Sequence, residues 1–474
     1  MDSQAAAFSK AASLAFRKGS RNPQAAPLPP RPPREPTALL ARESFKQAVR
    51  DVQAGQRYLR RDTPTRGPPK DSDNLWELFH SAAASLSTGA GSAVMRDPDN
   101  PHGKAPGVWS PRSDARAIGS LLLSSWLNLL CLAVPLGYIA HGLKWNAMAI
   151  FILNTIGLVP LALLLGEVTE DLALRFGDVI GGLLNATFGN VVELILSIAA
   201  LAKGLFIIVA YSLIGSVLSN LLLVLGCCFL LGGTKYKQQS FNAPLNKASC
   251  ALLFLAAIAI TIPSAGPLLY GADVISPIDV IRISRGTAIM LVLVYLSYLY
   301  FQLKTHKTFY APPVEEGETE QPALSLSGAM FMLGAITVIV ALCSEFLTSA
   351  LDDFSKQSGI HEAFLGLIIL PIAGNACEHI TAVIVAIKDK MDLSIAVALG
   401  SSIQISLFVL PVVVLVGWAI GKDFTLDIDA FLILMLTLAV IHAYFVSSDG
   451  NSNWLMGLQL VGTYILIALL VAFV

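Results

Sequence analysis

Uncharged apolar runs of about 18 residues or more recur along this 474-residue chain, "AMAIFILNTIGLVPLALLLG" from Ala147 being one. A helix needs about 20 such residues to cross the hydrocarbon core of a bilayer. Inside that core every backbone N–H and C=O must be satisfied within the element itself. Runs of this kind restrict the chain to an all-α polytopic membrane protein. Composition agrees, with 54% hydrophobic and only 14% charged residues, where a soluble domain carries about a quarter charged. The bilayer is the expected surrounding and no nucleic-acid partner is expected. The net charge of −1 is less informative than where the charges lie. All six cysteines fall in apolar stretches without CxxC spacing, which reads as packing, with no disulfide framework.

Hydropathy predicts about 11 transmembrane helices. The first runs over about 118–140. Five follow at about 145–173, 178–202, 205–231, 247–263 and 284–303, and five more at about 323–350, 360–387, 392–418, 427–446 and 453–474. The expected organisation is a disordered cytosolic tail over 1–114, an extra helix over 115–141, a first five-helix repeat over 142–304, an acidic cytosolic linker over 305–322 and a second five-helix repeat over 323–474. The tail is rich in Pro, Ala and Arg, too poor in apolar residues to fold alone, and no secretory leader is expected at its start. "DNLWELFHSAAASL", from Asp73, reads as a short amphipathic helix within it. With the N-terminus cytosolic, ten Lys and Arg lie on the cytosolic side against six opposite, the expected sense of the positive-inside rule. Each unit of five crossings reverses direction, so two in tandem insert with opposite orientations.

The two units are related. Gly189, Asn190 and Glu193 match Gly374, Asn375 and Glu378, each 185 positions apart, and Gly215-Ser216 matches Gly400-Ser401 at the same offset. Ser219 is replaced by Gln404 in that register. Two motifs held in register imply an inverted repeat, whose substrate site belongs at the repeat interface near the bilayer midplane.

On a helix, Asn190, Glu193 and Ser197 share a face, as do Asn375 and Glu378. Gly189 and Gly374 permit close approach or a break that frees carbonyls, and Pro371 and Pro411 add further interruptions. A carboxylate at membrane depth costs about 2.5–3.5 kcal/mol on insertion scales. Two facing each other have two comfortable states, protonated or bridged by a cation, and competition between them is the physical basis of proton–cation antiport. Glu193 and Glu378, as metal ligands, with neutral oxygens from Asn190, Asn375 and helix carbonyls, suit Ca²⁺; Mn²⁺ accepts the same set. His379, about 100° from Glu378 on a helix, is expected to tune the site or relay protons rather than bind the ion. Ser216, Ser401, Ser219 and Gln404 are candidates for lining the pathway, weighed against ordinary interhelical hydrogen bonding. Glu167 and Glu345, in acidic clusters read as helix ends, are candidate entrance acids. Glu315, Glu316, Glu318 and Glu320 form a solvated linker able to concentrate divalent ions weakly. Arg282 and Arg285 read as interfacial anchors.

"LNATFGNVVELI" and "PIAGNACEHITAV", in register and separated by an acidic connector, resemble the two motif repeats of the vacuolar calcium/proton exchangers, within the cation/calcium antiporter superfamily. The resemblance covers about residues 115–474. It implies ten core helices in two inverted bundles plus one N-terminal helix, and Ca²⁺ accumulation into an acidic vacuole driven by protons. It carries the ion-binding role onto Glu193 and Glu378, the motif asparagines onto Asn190 and Asn375, and the following histidine onto His379. The expected activity is secondary active antiport of cytosolic Ca²⁺ for lumenal protons in a multi-pass vacuolar membrane protein. No cofactor is expected beyond the transported ions, and a homo-oligomer stays open. The alternatives are a sodium/calcium exchanger of the same superfamily and a passive cation channel. An enzyme is not expected: neither HExxH nor GxxxxGK[ST] occurs, which disfavours a metalloprotease and an ATP-driven pump.

Overall fold

In the computed structural model the described residues are 111–123, 125–271, 273–306 and 322–473, all within one unit, Asn74–Val474. The expected tail and nearly all of the acidic linker lie outside them. Helices α1 (Pro111–Leu123) and α2 (Ala133–Gly142), with a 3₁₀ stretch Trp126–Leu132 between, precede α3 (Ala147–Phe188) and α4 (Val191–Ala202). Next come α5 (Phe206–Leu218) and α6 (Leu225–Lys235), joined by a π-helical stretch Ser219–Val224, then α7 (Ala243–Tyr270) and α8 (Pro277–Tyr300). The second half holds α9 (Leu326–Ser358), α10 (Glu362–Phe364), α11 (Leu370–Gly374), α12 (Ala376–Ile387), α13 (Met391–Gln404), α14 (Leu410–Ala419), α15 (Ala430–Ser447) and α16 (Trp454–Val471). Among the described residues, two-residue strands β1 (Gln239–Ser240) and β2 (Asn451–Ser452) pair antiparallel and form the one exception to helix.

Among the described residues, eight helices are long and apolar enough to cross a membrane, and ten if each of two bent pairs counts as one span. Length and apolarity alone therefore do not reach the eleven expected. The difference lies where the sequence reading drew continuous rods. The expected 118–140 helix is a pair bent by 99°, and 360–387 is a pair bent by 59°. The expected 178–202 helix is broken at Gly189-Asn190 into the end of α3 and the short apolar α4. Within α3 a Cβ on Gly181 would stand 2.6 Å from the Ala173 carbonyl oxygen. A straight helix holds residues eight apart about 12 Å from each other, so α3 turns back sharply between them.

Large apolar side chains such as Leu268, Leu269, Phe331 and Phe445 are more than two-thirds exposed, which lipid accommodates and water does not. The polar residues run the other way: Asn190, Ser197, Ser216, Ser219, Asn220, Asn375 and Ser402 are buried. The two halves are interleaved. Helix α9 of the second half packs along α3 of the first, and α16 packs along α6. Tyr138 in α2 donates to the Ile339 carbonyl at 2.9 Å and meets Phe346 edge-on at 5.3 Å, which docks the N-terminal helix on α9. All six cysteines are free thiols.

Candidate functional site

Both motifs sit where a helix breaks. Asn190 leaves helical geometry at φ −114°, ψ 28°, and Asn375 does so at φ −96°, ψ 9°. The glycine before each is where the other half comes against the backbone. A Cβ on Gly374 would stand 3.3 Å from Glu193 Oε1, and one on Gly189 would stand 3.3 Å from Gln404 Oε1. Each bare backbone thus seats a side chain from the opposite repeat, and Glu193 and Glu378 lie close enough to interact electrostatically. The repeat register reaches the element bounds. Helices α4 and α12 are both 12 residues long and begin 185 positions apart, as do α5 and α13.

Among the register positions at which the halves differ chemically, Ser219 against Gln404 makes the site asymmetric. Gln404 Oε1 accepts the Asn190 amide N–H at 2.5 Å. Ser401 Oγ donates to Asn190 Oδ1 at 3.0 Å, and Asn220 Nδ2 donates to Ser401 Oγ at 3.0 Å. Asn190 is therefore tied at both ends of its amide. Ser219, too short to reach as far as a glutamine, has its Oγ 3.4 Å from His379 Nε2. Asn375 Nδ2 and Glu378 Oε2 are buried with no hydrogen-bond partner. Ser402 is satisfied within its own helix by the Ala398 carbonyl at 2.8 Å, and Ser216 is buried.

A cavity of about 420 Å³ leads to this cluster, lined by Glu378, Ser401, Gln404, Gly189 and Cys377 at one end and by Asn242, Gln302 and Asp392 toward the helix ends. Those ends adjoin Lys235, Lys304, Lys388 and Lys390, so the cavity opens on the lysine-rich face. The repeat identifies the opposite face as closed. A Cβ on Gly215 would fall 2.4 Å from the Leu367 carbonyl oxygen, so α5 crosses the π-helical stretch Leu365–Ile369 in backbone contact. The repeat image of that contact pairs Gly400 with Gly182. Gly400 has nothing within 4 Å of its Cβ position, and both glycines line the cavity. One crossing is shut and its image is open.

Glu167 and Glu345 both lie well inside their helices, α3 and α9, rather than at helix ends. The acidic clusters that suggested ends are followed by more helix-forming residues, so the chain does not stop there. Glu345 pairs with Lys203 at 3.0 Å, and Lys203 Nζ also donates to the Glu345 carbonyl at 2.7 Å, linking the two halves just after α4. Glu167 is near enough to Cys377 to act on it electrostatically, and its Oε2 is buried without a partner. Arg285 binds Asp423 at 2.9 Å and lies over the Trp418 ring at 4.8 Å, while Arg282 pairs with Asp279. Sequence reasoning found Gly189, Glu378, Ser401 and Gln404 on the cavity wall but missed Asp392, Asn242 and Gln302, because these lie outside the motifs and meet the others only in three dimensions. Among the described residues no group of three or more His, Cys, Asp or Glu could hold a metal ion.

The profile of the family described as sodium/calcium exchanger protein matches residues 146–304 and 328–473, one stretch in each half. The chain is 41% identical to a vacuolar calcium ion transporter of Schizosaccharomyces pombe over 74% of this chain and 85% of that one. It is 39% identical to vacuolar cation/proton exchanger 2 of Arabidopsis thaliana over 74% and 82%. Among solved structures, a selenium-substituted Ca²⁺/H⁺ antiporter, YfkE, superposes with a TM-score of 0.61 at 35% identity, covering 73% of this chain and 98% of that one. The chain belongs to the sodium/calcium exchanger protein family, as a member of its vacuolar calcium/proton exchanger group.

Proposed function

We propose that this protein is a secondary active antiporter that exchanges cytosolic Ca²⁺ for lumenal protons and loads Ca²⁺ into an acidic vacuole. The observation that carries this reading is the meeting of two repeat-related glutamates, Glu193 seated on Gly374 of the opposite half and Glu378 at the inner end of an open cavity. Such a pair is stable when protonated or when a dication bridges it, and the two states exclude each other. The lysine-rich face is assigned to the cytosol, with the N-terminus on that side, so the cavity is the cytosolic entry. Ca²⁺ arriving there displaces protons from the pair. Closure of Gly400 on Gly182, with release of Gly215 from Leu367, then exposes the site to the lumen, where acidity reprotonates the glutamates and ejects the ion. Asn375, Asn190 and backbone carbonyls at the breaks supply neutral oxygens. Glu167 lies on the approach to the second motif, whereas the Lys203–Glu345 pair belongs to the closed lumenal side. His379, against Ser219, orients the second motif.

Glu193→Gln and Glu378→Gln each abolish proton-driven ⁴⁵Ca²⁺ uptake into vesicles while the protein still reaches the membrane. Full uptake by either variant removes the pair from the mechanism. The second reading, Na⁺/Ca²⁺ exchange, draws on the family description. Uptake that survives collapse of the pH gradient and follows Na⁺ favours it. Accumulation against the Ca²⁺ gradient excludes a passive channel, and competition by Mn²⁺ reads the preference between the two dications.

A further inference from the structure

Apart from Glu378, Asp392 is the one acidic side chain on the cavity wall among the described residues. It stands on the first turn of α13 at the mouth and is exposed. Its Oδ1 accepts the Asn242 backbone N–H at 2.7 Å, which fixes the carboxylate against the loop after β1. Glu378 Oε2, buried and unpartnered, lies at the inner end of the same cavity, and Thr381, Asn246 and Gln302 line the wall with them. An acid useful only for starting a helix would serve both repeats equally. Helices α5 and α13 begin at the repeat offset, yet the residue in the register of Asp392 is Ile207. The acid therefore belongs to one face of the protein and not to the other.

We infer that Asp392 receives the incoming dication at the mouth of the cavity and sets how readily it is captured from that face, without taking part in the exchange at Glu193 and Glu378. This rests on the antiport reading above. Asp392→Asn keeps an oxygen to accept from Asn242 and removes only the charge. It should raise KM for Ca²⁺ on the cavity face about sixfold at low ionic strength and about twofold at physiological ionic strength, with turnover unchanged. Those factors are the Coulomb attraction of one carboxylate for a dication at roughly 8 Å in water, without and with physiological screening. The difference should vanish near 1 M salt, where the Debye length is about 3 Å, and Asp392→Glu should restore wild-type KM. A purely structural role would instead lower turnover or yield and ignore salt.

The measurement is ⁴⁵Ca²⁺ uptake by full-length protein in oriented proteoliposomes with an imposed pH gradient. Wild-type transport with an unchanged KM in Asp392→Asn, or a loss insensitive to salt, overturns the inference and leaves the antiport reading standing. Wild-type protein that shows no proton-driven uptake overturns both. Should Asp392→Asn not reach the membrane, Ala396→Asp adds a charge one turn deeper on the same wall. It should lower KM at low salt, and an unchanged KM there overturns the inference equally.

Discussion

Asn190 and Asn375 occupy equivalent places in two copies of one motif, yet their surroundings differ, and the exchange of Ser219 for Gln404 is one reason. Gln404 is long enough to hold the Asn190 amide at 2.5 Å, while Ser219, its counterpart, leaves Asn375 Nδ2 without a partner. The Asn190 amide is therefore held at both ends, while the second motif keeps two unsatisfied atoms, Asn375 Nδ2 and Glu378 Oε2, and Glu378 lies on the cavity wall. Gln404→Ala should leave the Asn190 N–H unpaired at a cost of about 0.6–2 kcal/mol, the range measured for interhelical hydrogen bonds in membranes. A lowered midpoint of thermal unfolding in detergent checks this. An unchanged midpoint would mean that another group takes over the amide. The motif letters were legible in the sequence, but that one asparagine amide is tied at both ends while the other has an unpartnered nitrogen was not, since Gln404 lies 214 positions from Asn190 and only folding brings them together.

Among the helices, the breaks carry more information than the spans. A run that reads as one continuous apolar rod, such as 360–387, is a pair bent by 59° at Asn375, and apolar periodicity is blind to such a break because both pieces stay apolar. The crossings of α5 and α13 then differ although their sequences are in register. Gly215→Ala places a methyl 2.4 Å from the Leu367 carbonyl, a backbone atom that cannot step aside cheaply. Gly400→Ala meets nothing in the cavity-open arrangement. The same substitution should therefore act differently at the two positions. Gly215→Ala should reduce thermal stability and folded yield, whereas Gly400→Ala should give a stable, monodisperse protein that transports poorly because the cavity cannot close. Equal stability losses in the two variants would remove the argument that one crossing is shut and the other open.

For the molecule as a whole, two inverted halves in one chain imply two mirror-related conformations, and the one described here opens on the lysine-rich face. Cys377 reports on that arrangement, being a free thiol on the cavity wall beside Glu378. A membrane-impermeant thiol reagent supplied on the lysine-rich face should label Cys377, and Ca²⁺ should slow the labelling. Cys377→Ser identifies the signal against the other five cysteines. Labelling from the opposite face alone would reverse the assignment of the cavity. Among the described residues the N-terminal helices lie outside the matched family region, which begins at residue 146. Tyr138 and its contacts with α9 nevertheless tie them to the second half.

The sequence by itself determined that this chain is a helical membrane protein, because hydrocarbon admits only backbone that satisfies its own hydrogen bonds. It also determined the inverted repeat and the two glutamates, because a carboxylate in an apolar run stands out against the cost of putting it there. Tertiary structure alone decided where the rods break, which of the two repeat-related asparagine amides is tied at both ends, and which face is open. Those outcomes depend on distances between residues some 150 to 215 positions apart. A pattern with a period of 3.6 residues describes one helix against its surroundings and holds no record of which neighbour arrives from the other end of the chain.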